Sequence, residues 1–110
     1  MRPALYQATH PILPVTQSRC SQLRAYDIVG PICESTDTFA RNYPLDTDLQ
    51  AGDLVAIGHS GAYAAVMCSS YNSRPIIPEV LVNEGQATVI RQAIDQRQLM
   101  HFERRCTALL

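Results

Sequence analysis

Two short segments of this chain carry side chains that could bind a small molecule or react with it. Arg2 and Tyr6 stand four residues apart in RPALY, so a helical turn would place both on one face. The guanidinium offers two parallel N–H donors and the phenol a third, which together suit a carboxylate. Cys33 and Glu34 adjoin each other in ICESTD, where a thiol could deliver a proton and a carboxylate could hold an ammonium group. Each segment is therefore a candidate site.

A third candidate is Tyr63 in SGAYAA, because small residues let a phosphate approach the backbone and a phenol can donate to a phosphate oxygen. Each candidate also has an ordinary structural explanation when it is taken alone. An arginine near a terminus is commonly a solvated charge, a cysteine a buried sulfur, and a tyrosine part of the core. His10, His59 and His101 have no partner at catalytic spacing, so we interpret each as structural or solvated.

The composition restricts the classes of function. A length of 110 residues, with 46% apolar and 17% charged residues, is typical of one globular domain and argues against disorder. The net charge of −1 gives no reason to expect nucleic acid or an anionic membrane as a partner. All nine basic residues are arginine, so no side chain of this chain can form a Schiff base.

Neither a membrane span nor a metal site is predicted. No apolar run reaches the ~20 residues that cross a bilayer, and MRPALYQATHPILP lacks the apolar core of a signal peptide. We therefore expect a cytoplasmic protein with free thiols. The four cysteines show neither CxxC spacing nor a histidine at zinc-finger distance; they are Cys20, Cys33, Cys68 and Cys106.

The elements that must hold these residues are predicted to be mostly β-strands, in three parts. Residues 1–15 contain three prolines and are predicted to form a connector with at most one helical turn around Ala4 to Ala8. Residues 16–92 are predicted to form a β domain, and residues 93–110 a short helix and tail. Because the connector has no domain before it, we expect the chain to be the end of something longer.

Within the β domain, apolar alternation and turn residues predict where strands begin and end. Gly30-Pro31 ends a strand just before Cys33, and turn-forming residues follow Glu34, so the pair is expected in a bend. The predicted segments are a strand at 23–29, a polar loop at 42–53, a short buried strand at 53–58, a strand entered through Gly61, a hairpin at 78–92 and an amphipathic helix at 92–103 with Ile94, Leu99 and Phe102 inward.

Three ordered segments together resemble one known family. MRPALYQATHPI, VGPICESTDTFARNYPL and GDLVAIGHSGAYAAVMCSSYNSRPIIPEVLV are similar to the C-terminal region of the meso-diaminopimelate decarboxylases, fold-type-III pyridoxal-phosphate enzymes of lysine biosynthesis. The resemblance runs from Met1 to about Arg91, and the tail RRCTALL carries no part of it. It implies a C-terminal β-sandwich or Greek-key barrel-like domain.

The resemblance also implies a role for each candidate. Arg2 and Tyr6 would bind the distal carboxylate of the amino-acid substrate, and Glu34 its distal amino group. Cys33 would be the proton donor to the carbon that loses carbon dioxide, and Tyr63 would contact cofactor and substrate. Cys33 and Glu34 are expected to complete the site of a second subunit in a homodimer.

Several parts of the enzymes of that family are missing from these 110 residues. In that family an N-terminal (β/α)8 barrel supplies the Schiff-base lysine, a glycine-rich phosphate loop and a further arginine, and none of these lies in the 110 residues. We therefore expect pyridoxal 5'-phosphate in the complete enzyme, the barrel domain as a partner, and an inactive isolated chain. Two alternatives stay open: a non-catalytic dimerisation module, and the same region of an ornithine- or arginine-type decarboxylase. Those enzymes carry aspartate after the cysteine, so Glu34 favours diaminopimelate.

Overall fold

The structure, a computed structural model, describes residues 1–16 and 22–104. The chain divides into two compact units, Met1–Ala64 and Ala65–Leu110. The elements of the first unit are α1 (Pro3–Tyr6), β1 (Ile12–Pro14), β2 (Leu23–Val29), β3 (Thr38–Asp46), β4 (Val55–Ile57) and α2 (Gly61–Ala64). Those of the second are a 3₁₀ turn (Tyr71–Ser73), β5 (Glu79–Asn83), β6 (Gln86–Arg91) and α3 (Gln96–Arg104).

Strands hold more of the described residues than helices do, and they pair two by two. The antiparallel pairs are β1 with β4, β2 with β3, and β5 with β6. The expectation of a mostly β chain with a short C-terminal helix is confirmed. The finer division into residues 1–15, 16–92 and 93–110 stays a prediction.

The hairpin of β2 and β3 carries the loop that holds Cys33. The predicted strand at 23–29 is confirmed, and it pairs along its length with β3. The predicted loop at 42–53 is wrong in its first part, because residues 42–46 continue β3. Leu45 is buried at 5% exposure, and Tyr43 lies opposite Tyr26. Pairing and burial therefore override the turn-forming composition of NYPLD.

The pair β1–β4 supplies a fully buried apolar side chain, Ile12, at 1% exposure. Ile12 lies opposite Ile57, and its amide donates to the Tyr43 hydroxyl at 3.0 Å. The predicted strand within 53–58 exists, but its predicted burial is wrong: Leu54 is 68% exposed and Val55 39%. Two paired three-residue strands are too short to cover all of their side chains, so Ile12 is buried while Leu54 and Val55 are not.

The predicted strand through Gly61 is also wrong, since α2 is a single helical turn. The Ser60 carbonyl accepts from the Tyr63 amide at 3.1 Å and the Ala64 amide at 2.7 Å, and the Ser60 hydroxyl donates to the Ile57 carbonyl at 2.9 Å. A serine before a helical turn is common, and GAYAA has no β-branched residue to favour a strand.

In the second unit the predicted hairpin is confirmed. Glu84 and Gly85 connect β5 to β6 with φ angles of +48° and +76°. Two central residues with positive φ are the requirement of the type I′ turn, which matches the twist of the paired strands. Glycine at the second position and an Asn-Glu-Gly sequence are the local cause of this hairpin.

The predicted C-terminal helix is confirmed as α3. Asp95 caps it reciprocally with Gln98: the Gln98 amide donates to Asp95 Oδ1 at 2.8 Å, and the Asp95 amide donates to Gln98 Oε1 at 2.9 Å. This is a capping box. Leu99 is half-buried, but Phe102 is 63% exposed, so the predicted inward position of Phe102 is wrong.

Candidate active site

Arg2 and Tyr6 flank one helical turn. Pro3 is buried and occupies the first helical position, where its fixed φ suits a helix start. Gln7 ends the turn with a left-handed φ of +54°, and its amide donates to the Pro3 carbonyl. The helical turn predicted within residues 1–15 is therefore confirmed, and it places Arg2 at the N-cap and Tyr6 at the last helical position.

Cys33 and Glu34 lie in a loop that is closed by Asp37. The Gly30 amide donates to the Asp37 carbonyl at 2.9 Å, and Asp37 Oδ2 accepts from the Ile32 amide at 2.7 Å. The Asp37 amide in turn donates to the Glu34 carbonyl at 3.1 Å. These bonds give the bend that the sequence predicts, with Cys33 exposed and Glu34 half-buried.

An ion pair joins the two predicted segments. Arg2 Nη2 lies 2.9 Å from Glu34 Oε2, and the two side chains are 37% and 24% exposed. Glu34 also accepts a hydrogen bond from the Thr36 hydroxyl. One guanidinium and one carboxylate therefore meet at a partly exposed position, where a ligand with both charges could exchange partners with them.

A second contact brings the two predicted tyrosines together. The ring centroids of Tyr6 and Tyr63 are 6.0 Å apart, and their planes are inclined at 33°. This separation lies within the range of attractive aromatic pairs. Tyr6 and Tyr63 are 40% and 56% exposed as residues, so both keep surface that a ligand could contact.

All five predicted residues lie in the first unit, and four of them form these two contacts. Cys33 is adjacent in sequence to Glu34, and neither it nor Cys68 is in a disulfide. Cys20 and Cys106 lie outside the described residues. The functional roles of the five residues stay predictions.

Sequence reasoning missed the part played by Asp37, which it treated only as a turn residue. A Cβ atom on Gly30 would come within 2.1 Å of Asp37 Oδ2, so the absence of a side chain at position 30 lets the carboxylate reach the Ile32 amide. An aspartate one residue before a strand, with glycine at the end of the preceding strand, was the available signal.

The side chains of these 110 residues are not sufficient by themselves to hold pyridoxal phosphate. It contains no lysine to bind the aldehyde, and Tyr63 is the one residue predicted to contact the cofactor. In residues 1–16 and 22–104 there is no group of three or more His, Cys, Asp and Glu side chains placed to hold a metal ion. The helices of that same part of the chain are too short or too polar to cross a membrane.

Comparison with known proteins shows which family the chain belongs to. The family profile described as "Pyridoxal-dependent decarboxylase, C-terminal sheet domain" matches residues 1–61. Diaminopimelate decarboxylase of Zymomonas mobilis is 45% identical over 105 residues, which are 96% of this chain and 24% of that protein. The enzyme of Vibrio cholerae is 41% identical over 103 residues, 94% of this chain and 24% of its own length.

Solved structures give the same result. Diaminopimelate decarboxylase from Helicobacter pylori complexed with L-lysine superposes with a TM-score of 0.83 at 39% identity, over 96% of this chain and 25% of that one. The M. jannaschii enzyme in co-complex with L-lysine gives 0.83 at 33% identity, over 94% and 23%. The chain thus spans about a quarter of the length of the relatives it matches. It belongs to the diaminopimelate decarboxylase family of pyridoxal-dependent decarboxylases and corresponds to their C-terminal sheet domain.

Proposed function

We propose that this chain acts as the C-terminal β domain of a cytoplasmic diaminopimelate decarboxylase, which converts meso-2,6-diaminopimelate to L-lysine and carbon dioxide. The observation that carries the proposal is the Arg2–Glu34 ion pair at 2.9 Å. The distal end of diaminopimelate carries one carboxylate and one ammonium group, and an adjacent cation and anion of the protein match these charges. A site built for such groups penalises substrates that lack them.

The proposal gives a role to each of the five residues. Arg2 and Tyr6 bind the distal carboxylate, and Glu34 binds the distal ammonium group. Cys33 donates the proton to the carbon that loses carbon dioxide, for which its exposed thiol is accessible. Tyr63 contacts cofactor and substrate beside Tyr6. Pyridoxal phosphate, when bound to a domain that supplies a lysine, provides the electron withdrawal that decarboxylation requires.

A chimaera tests this function. The C-terminal quarter of the Helicobacter pylori enzyme would be replaced by this chain, and lysine formation from meso-diaminopimelate would be compared with turnover of ornithine and arginine. We expect turnover of diaminopimelate that Glu34→Gln lowers and Glu34→Asp partly keeps. A folded chimaera with full cofactor content that turns over ornithine instead would overturn the choice of substrate. One that turns over none of the three would refute the enzymatic role.

The isolated chain is proposed to be inactive. Because it has no lysine, borohydride reduction in the presence of pyridoxal phosphate should leave no pyridoxyl group on any side chain. Mass spectrometry of tryptic peptides measures this directly, with the chimaera as the positive control. A labelled internal peptide from the 110-residue chain would contradict the proposal.

We also propose that Cys33 and Glu34 serve the active site of a second subunit. In the chimaera, a Cys33→Ala variant would be mixed and refolded with a variant that lacks the barrel's Schiff-base lysine. If each active site is built from two subunits, an equal mixture of the two variants should regain about a quarter of the active sites. About half of the dimers are then mixed, and each mixed dimer has one intact site of its two. If Cys33 serves the barrel of its own chain, mixed dimers stay inactive.

The alternative of a non-catalytic interaction module has one observation in its favour. Both strands of the β5–β6 hairpin expose apolar side chains, including Leu81 at 53%, Val82 at 70% and Ile90 at 57%. Exposed apolar surface of this kind commonly contacts another domain or chain. An inactive chimaera together with self-association of the isolated chain in analytical ultracentrifugation would favour this alternative.

A further inference from the structure

His10 is buried at 7% exposure and is the one buried polar side chain in the part of the chain that the structure describes. Its Nδ1 lies 3.0 Å from the Gly58 carbonyl oxygen. Its Nε2 is buried and has no hydrogen-bond partner among the described residues. A buried polar atom without a partner costs stability, and an apolar side chain would avoid that cost. What a histidine adds here is therefore the bond from Nδ1 to Gly58.

The β1–β4 ladder explains why that bond is needed. Its register pairs Ile12 with Ile57, so the next pair along is Pro11 with Gly58. The Gly58 amide donates to the Pro11 carbonyl at 2.7 Å, as in a hydrogen-bonded antiparallel pair. The return bond would come from the amide of residue 11, but proline has no N–H. The His10 imidazole supplies the missing donor to the Gly58 carbonyl.

We infer that His10 is a positioning residue, which sets the separation of Tyr6 and Tyr63 by completing the ladder at its last pair. This inference rests on the proposed function for its catalytic consequence. Tyr6 ends α1, four residues before His10. On the other strand Gly58 leads into the Ser60 turn that begins α2 and carries Tyr63. The joined ends of the two strands therefore hold the two helical turns side by side.

Gly58 is suited to this close approach. A Cβ atom on Gly58 would come within 2.8 Å of the Pro11 ring, so a larger residue would push the strands apart. Because a carbonyl oxygen can only accept, the His10 proton must reside on Nδ1 for the bond to form.

The first test uses the 110-residue chain and needs no enzymatic activity. Nuclear Overhauser contacts between the rings of Tyr6 and Tyr63 should be present, lost in His10→Leu, and kept in His10→Asn, whose side-chain nitrogen replaces Nδ1. They should return in His10→Leu combined with Pro11→Ala, because alanine restores the amide donor. Contacts that persist in His10→Leu, or that Pro11→Ala does not restore in a folded double variant, would overturn the inference.

The tautomer gives a second readout on the same sample. In chain labelled with 15N-histidine, we expect the proton of His10 on Nδ1, with the signal assigned by its loss in His10→Asn. A proton on Nε2 with bare Nδ1 would contradict the bond to Gly58. Neither readout depends on turnover, so they separate a failure of this inference from a failure of the proposed function.

The catalytic consequence is measured in the Helicobacter chimaera. We expect His10→Leu to lower kcat/KM for diaminopimelate by roughly 10- to 100-fold, since small displacements of positioning groups have effects of that size. His10→Asn should stay within about threefold, and Pro11→Ala should rescue His10→Leu to a similar level. If His10→Leu does not fold, comparison of His10→Asn with His10→Gln tests the role instead, because glutamine places its side-chain nitrogen near the position of Nε2 and not of Nδ1. Equal activity of these two variants would refute the positioning role of His10.

Discussion

The Arg2–Glu34 ion pair should contribute little to stability and much to substrate recognition. Arg2 and Glu34 are 37% and 24% exposed, so water screens their attraction. Pairs of this kind contribute at most about 1 kcal/mol to the free energy of unfolding. Arg2→Met keeps the length and apolar stem of the side chain and removes the charge. We therefore expect Arg2→Met to lower the free energy of unfolding by less than about 1 kcal/mol.

The same change should be far more costly to turnover. A hydrogen bond to a charged group contributes about 1.5 to 3 kcal/mol, which corresponds to roughly 10- to 150-fold in kcat/KM. The loss should be specific for the distal carboxylate, so Arg2→Met should also narrow the preference of the chimaera for diaminopimelate over ornithine.

Urea unfolding of the chain and steady-state kinetics of the chimaera measure the two quantities. Arg41→Met is the matched control, because Arg41 also forms an ion pair. Its guanidinium lies 3.5 Å from the Asp27 carboxylate, and both side chains are more exposed than those of Arg2 and Glu34. Arg41→Met should leave both quantities nearly unchanged. An unchanged kcat/KM in Arg2→Met would refute the reasoning. So would a loss of several kcal/mol in unfolding free energy, since the pair would then be structural.

Three further predictions concern the loop and the core. Cys33→Ala in the chimaera should slow lysine formation by at least ~10²-fold, the lower range for a lost general acid; an unchanged single-turnover rate would remove Cys33 from the mechanism. Gly30→Ala should cost about 1 to 3 kcal/mol in urea unfolding because its Cβ meets a carboxylate oxygen at 2.1 Å, whereas Gly61→Ala, which has open space, should change stability little. Ile12→Ala should cost about 2 to 5 kcal/mol because Ile12 is 1% exposed, and Leu13→Ala, at 61% exposure, is its control; equal losses at positions 12 and 13 would contradict the assigned core.

Turn residues and apolar alternation were enough to predict the elements that depend on neighbouring residues alone. The turn at Glu84 and Gly85 needs positive φ at both positions, and glycine supplies one of them without strain. The strand at 23–29 follows from alternation up to Gly30-Pro31. Predictions failed where a local pattern was ambiguous. The run of small residues after Ser60 fits a strand or a helical turn equally well, and the hydrogen bonds of Ser60 decide for the turn.

For the candidate site, the sequence predicted the residues but not the contacts between them. Residue types and the order of the motifs selected Arg2, Tyr6, Glu34 and Tyr63 as candidates and indicated the family, because an ordered set of motifs carries information that no single dipeptide does. Nothing in the local pattern indicated that Arg2 would reach Glu34 or that the two tyrosine rings would lie 6.0 Å apart.

The sequence by itself determined the chemistry available to this chain: a thiol, an arginine and a glutamate of opposite charge, and no lysine for a Schiff base. Only the tertiary structure decided which groups meet, because contacts such as that of His10 with Gly58 join residues 48 apart in the chain. The register of β1 against β4 creates that contact, since it sets Pro11, which lacks an amide proton, opposite a carbonyl that needs a donor.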